Sequence, residues 1–140
     1  MILYLDTSAL VKLYAREEGS AVVRAAVAVA QAIATSLLAY AEARAAFARK
    51  RRLGDISDTV LRRLKRDFER DWTTLHRMAV DEAIVRRAGE LAEAHGLRAY
   101  DALHLASADL LQTAGAAPVI FACFDSALAR AAAARGMLSL

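Results

Sequence analysis

The chain has 140 residues, 57% of them hydrophobic, a net charge of +3 and a single cysteine. That length and apolar content exclude a disordered chain and point to one folded domain spanning 1–140. One cysteine excludes a disulfide framework and a multi-cysteine zinc site.

Ile2 to Leu5 is a short apolar run that predicts a buried strand. It meets an acid at Asp6 with no basic leader before it, so no signal peptide is expected. Thr7 and Ser8 offer capping hydroxyls for a helix over Ala9 to Arg16. Gly19-Ser20 restarts a helix to about Ala30, and Ala32 to Thr35 predicts a second strand. Ala25 to Ala41 is the most membrane-like stretch. It is too interrupted by polar residues for a span of roughly 20 apolar residues, so a soluble, cytoplasmic protein without membrane contact is expected.

A long helix is predicted from Leu37 to Arg52, stopped by Gly54. Ser57 and Asp58 cap the next, which runs to about Trp72. Arg49 to Arg66 holds eight Lys or Arg and two Asp, a local balance of +6 that leaves −3 elsewhere. Such a segment beside an acidic remainder suits a nucleic-acid partner, and equally a solvated helix face. Leu75 to Val80 reads as a short strand, and Asp81 caps a helix ending at His95-Gly96. Asp101 opens a helix to about Thr113 that is apolar nearly all round and hence central. Val119 to Phe124 is the clearest strand. A last helix starts at Ser126 and ends at Gly136, and Leu138 to Leu140 adds an edge strand. Strands alternating with helices predict a three-layer α/β/α fold on a central, mainly parallel sheet.

Sites in such folds form beyond the carboxyl ends of the strands. Leu5-Asp6-Thr7-Ser8 and Phe124-Asp125-Ser126 both read strand, acid, hydroxyl residue, helix. Each Asp either caps its helix or faces a site, and the neighbouring hydroxyls are free to do the capping. Glu42 lies among small apolar residues, with Leu38 one turn before it and Ala45 and Ala46 one turn after. Its alternatives are a site or a buried pair with Arg98. Asp101 is either a cap or a fourth site acid, and Asp109 is either a supporting acid or, the preferred reading, a solvated one. Four acids from separate elements raise one another's pKa unless a cation joins them. Oxygen ligands select a hard ion, Mg²⁺ or Mn²⁺. Such an ion can activate water and hold a phosphate oxygen, so the natural reaction is phosphodiester hydrolysis. The histidines share no metal spacing, and His104 reads as a core residue. Cys123 reads as a buried, inert thiol. An aspartate-nucleophile phosphatase is disfavoured by Ser8, which stands where a second Asp is needed. A phospho-receiver is disfavoured by the absence of Lys after Lys65.

Leu5-Asp6-Thr7-Ser8-Ala9-Leu10, Thr35-Ser36 with Glu42, Arg98-Ala99-Tyr100-Asp101-Ala102-Leu103-His104-Leu105-Ala106 and Phe124-Asp125-Ser126-Ala127-Leu128 resemble, in order and spacing, the four motifs of PIN-domain ribonucleases, especially the VapC toxins. The likeness covers essentially the whole chain. It implies a PIN-like fold, Mg²⁺- or Mn²⁺-dependent endoribonuclease activity, an RNA substrate, a homodimer and inhibition by a cognate antitoxin. The family's acids carry over onto Asp6, Glu42, Asp101 and Asp125, and its supporting hydroxyl onto Thr7. One departure is Cys123, where the family usually has Ser or Thr; a thiol is a poor donor. Arg49, Lys50, Arg51, Arg52, Arg62 and Arg66 are candidate contacts to the RNA backbone. The alternative is a catalytically degraded PIN-like module that binds RNA or a partner protein without cleaving.

Overall fold

The structure, a computed structural model, describes residues 1–115 and 117–140. The elements run β1 (Ile2–Leu5), α1 (Thr7–Tyr14), α2 (Ser20–Val29), β2 (Ala32–Ser36), α3 (Leu38–Arg52), α4 (Asp58–Trp72), β3 (His76–Met78), α5 (Glu82–His95), α6 (Ala99–Ala114), β4 (Val119–Ala122), α7 (Ser126–Ala134) and β5 (Leu138–Ser139). Every strand pairing is parallel, and the sheet order is β3-β2-β1-β4-β5. The chain winds outward from β1 through β2 to β3, then crosses back to β4 and β5. Strand order therefore reverses beside β1, which is where doubly wound sheets bind ligands.

Alternation along β1 explains the layering. Leu3 and Leu5 enter one apolar cluster with α1, α2, α3 and α4, while Tyr4 enters the other with α5, α6 and α7. In β4, Val119 and Phe121 join the second cluster and Ala122 the first. Period-two side chains from a sheet covered on both faces give the α/β/α sandwich expected from the sequence. Among the described residues, no helix is long and apolar enough to cross a membrane. The membrane-like stretch is divided among α2, β2 and the start of α3.

Several boundaries move for identifiable reasons. Helix α1 begins at Thr7 rather than Ala9, because Asp6 itself is the cap and its carboxylate accepts from the Ala9 amide. Helix α6 begins at Ala99, so Asp101 sits in the first turn and does not cap it. Strand β4 stops at Ala122 because its neighbour β1 ends at Leu5, the last registered partner. Cys123 and Phe124 thus lie beyond the strand. Asp109, expected in solvent, is buried. It receives Arg87 from α5 at 3.1 Å and Arg135, just past α7, at 2.9 Å, and so ties the three helices of one layer together.

Candidate active site

The carboxyl ends of β1, β2 and β4 open into one cavity of about 270 Å³ lined by Asp6, Glu42, Asp101 and Asp125. Each acid arrives from a different element. Asp6 follows β1, Glu42 lies on α3 after β2, Asp101 opens the central helix α6, and Asp125 follows β4. The structure brings all four sequence-selected acids to one place.

Asp6 and Asp125 act both as caps and as cavity-lining acids. Asp6 accepts the Ala9 amide and the Ser8 hydroxyl, at 2.9 and 2.7 Å, on the same oxygen, Oδ1. Asp125 accepts the Leu128 amide on Oδ1 at 2.9 Å. Among the described residues neither Oδ2 has a protein partner, so one oxygen of each carboxylate holds the helix and the other is left for the cavity. Asp6 is only 5% exposed, and burial pushes its carboxyl above the usual range against the pull of its two hydrogen bonds.

Glu42 is held from two sides. The Thr7 hydroxyl donates to Oε1 at 2.7 Å, and His104 Nε2 lies 2.9 Å from the same oxygen. Burial alone would raise the Glu42 carboxyl; the bonds from His104 and Thr7 outweigh it and hold the group below its usual range. The alternative, a buried pair with Arg98, does not form. Arg98 instead bonds Asp101 Oδ2 through Nε at 2.9 Å, one turn away on its own helix. His104 is the residue that sequence reasoning undervalued. It is buried, and its other nitrogen, Nδ1, lies 3.0 Å from the Tyr4 hydroxyl. Glu42, held ionised, can only accept, so Nε2 carries a proton toward it, and in the neutral ring Nδ1 is then the acceptor for the Tyr4 hydroxyl, which burial keeps protonated. The signal in the sequence is the Asp101-to-His104 spacing, which puts both side chains on one face of α6.

Cys123 donates weakly to the Asp125 backbone carbonyl at 3.7 Å and makes no bond to its carboxylate. Burial pushes the thiol up to about 12, in keeping with an inert role. The basic candidates divide. Arg49 and Lys50 line a second cavity of about 300 Å³ that shares Thr7 and Ser8 with the acidic one. Arg51 is tied to Asp58 and Arg66 to Asp67. Arg52 and Arg62 are exposed and line neither cavity.

The donor set is oxygen-rich and anionic, as a hard divalent ion requires. Among the described residues no three or more Asp, Glu, His or Cys side chains stand close enough together to hold a metal ion as they are placed. Mg²⁺ is commonly held by one or two carboxylates with several waters retained, so an open, roomy cavity fits it where a tight cage is not needed.

Comparison with known proteins agrees with this fold. A family model for the PIN domain matches residues 3–134. Two ribonucleases of Mycobacterium tuberculosis, VapC45 and VapC49, are each 40% identical to the chain over 107 residues, which is 76% of this chain and 74% of theirs. Among solved structures, FitAcB from Neisseria gonorrhoeae superposes with a TM-score of 0.67 at 19% identity, over 100% of this chain and 96% of that one. VapBC2 from Rickettsia felis, bound to a DNA fragment from its promoter, gives 0.67 at 15% identity over 100% and 98%.

Proposed function

The chain belongs to the PIN-domain family, and from that premise we propose that it is an endoribonuclease, dependent on Mg²⁺ or Mn²⁺, and the toxin of a toxin–antitoxin pair. The observation that carries this reading is the convergence of four carboxylates, from four separate elements, on one cavity at the switch point of a parallel sheet. The ribonuclease names of the M. tuberculosis relatives support the substrate class.

Asp6, Glu42 and Asp101 would hold the ion, directly or through water, with Asp125 completing the site. When bound, the ion supplies Lewis-acid chemistry, lowering the pKa of water and neutralising charge on the scissile phosphate. Thr7 and His104 fix Glu42 in place, and Tyr4 fixes His104 in turn. Arg98 is the cation among the described residues lining the cavity. Its guanidinium, which bonds Asp101 Oδ2, would be placed to meet a phosphate oxygen brought into the cavity. Arg49 and Lys50, in the adjoining cavity, would carry the neighbouring backbone. An RNA substrate, a homodimer and a cognate antitoxin are part of the same proposal, supported by the toxin–antitoxin character of one structural neighbour from Klebsiella pneumoniae, which matches with a TM-score of 0.59.

The purified chain is expected to cleave single-stranded RNA internally when given Mn²⁺ or Mg²⁺ and to be inert in EDTA, with gel electrophoresis as the readout. Cleavage that persists in EDTA would refute the metal scheme. RNA binding without cleavage, under any divalent ion, would favour a module that has lost its catalysis.

A further inference from the structure

Phe124 is an apolar ring in an unusual place. It sits between the end of β4 and Asp125, lines the acidic cavity, and is 46% exposed. A large aromatic side chain at the rim of an anionic pocket gains little from the core, yet this one is firmly held. Gly19, with φ of +88°, passes so close beneath it that a Cβ there would come within 2.6 Å of the ring's Cε1 and 2.9 Å of Cζ. Lys12 Nζ stands 4.5 Å from the ring centroid, and Glu17 fixes that ammonium at 3.0 Å. The ring is pinned before any ligand arrives, so little ordering entropy is lost when something packs on it.

We propose that Phe124 is a stacking platform for a nucleobase of single-stranded RNA, on a nucleotide next to the phosphate that faces Asp6 and Asp125. The inference rests on the ribonuclease reading and adds a binding subsite to it. The carboxylates repel RNA phosphates, so part of the affinity has to come from groups that do not depend on charge. Stacking on an aromatic face is such a contribution, and it tolerates any base. A strand that brings a phosphodiester to the carboxylates carries its neighbouring base past this ring, because ring and carboxylates line one cavity.

The test uses a fluorescein-labelled oligoadenylate hexamer and a matching hexamer of abasic residues. Affinity is read by fluorescence anisotropy in the Asp101→Asn background with EDTA, so that no cleavage intervenes. Phe124→Ala and Phe124→Leu are expected to weaken hexamer binding about 5- to 100-fold, the range of one lost base–aromatic stack. Phe124→Trp should match or exceed the parent, and all four proteins should bind the abasic hexamer alike. Thermal midpoints close to the parent's will show that the exposed position is not needed for folding. If Leu serves as well as Phe, or Ala costs nothing, the platform is overturned and the ring is left to a protein partner. Cleavage by the unsubstituted chain with Mn²⁺ is scored separately. Cleavage with a flat Phe124 series sinks the platform alone. A graded series without cleavage sinks the nuclease reading and leaves the base-binding ring standing.

Discussion

Asp6→Asn is expected to reduce Mn²⁺-dependent RNA cleavage by about 10³-fold or more, since a bound ion is worth several kcal/mol of transition-state stabilisation, while the fold stays intact. The second half of that expectation follows from the geometry. Asp6 caps α1 through Oδ1, and asparagine presents an equivalent oxygen and is an equally good cap. The electrostatic balance favours the variant when no metal is present. Burial raises the Asp6 carboxyl above its usual range in the folded protein, so folding favours the protonated form. The stabilisation available to that form is fully present below the ordinary carboxylate range and is lost as pH rises through the raised value. At neutral pH the folded chain therefore carries an ionised, buried carboxylate at a cost that asparagine does not incur. In EDTA at pH 7 the melting temperature of Asp6→Asn should exceed that of the parent, and the gap should close in acid, where Asp6 is protonated. A variant that melts lower at pH 7 would mean that Asp6 is a structural acid, and a fully active one would remove it from the site.

The largest effect on stability is expected at Phe68. It is fully buried on α4, and its ring meets Tyr14 at 5.4 Å, Tyr40 at 5.6 Å, Phe47 at 5.7 Å and Trp72 at 5.4 Å between centroids. Those neighbours come from α1, α3 and α4, so one ring joins three of the four helices of that layer. Phe68→Ala should cost about 3–5 kcal/mol, the transfer of the ring plus the cavity it leaves, measured by urea denaturation. Phe68→Leu keeps more of the volume and should cost less. The loss matters for the site because α3 carries Glu42 and packs its Ala39, Ala43 and Phe47 face into the same cluster. A cost below 1 kcal/mol for the alanine variant would show that the cluster does not hold the layer.

The architecture was readable from the chain because the same local pattern occurs twice. Leu5-Asp6-Thr7-Ser8 and Phe124-Asp125-Ser126 each turn from strand to helix at an acid, and parallel strands bring like ends together. Cap and site acid are not rivals: a carboxylate has two oxygens, and Asp6 and Asp125 give one to the helix while keeping the other for the cavity. What escaped the sequence depends on partners far along the chain. His104 meets Tyr4 and Glu42, 100 and 62 positions away, and no local pattern announces that. Asp109 reads as a surface acid until Arg87 and Arg135 reach it from other helices. The basic run between Arg49 and Arg66 is real as composition, yet only Arg49 and Lys50 of the six candidates line a cavity beside the acids; Lys50 is itself paired with Glu17, Arg51 and Arg66 turn to Asp58 and Asp67, and Arg52 and Arg62 face solvent.

The most direct test is calorimetric titration with Mn²⁺ of the parent chain and of Asp101→Asn. A shared cation site predicts saturable binding in the parent that is lost or greatly weakened in the variant, with both proteins folded. No binding to the parent, or equal binding to the two, would mean that the carboxylates at the end of the sheet do not act together.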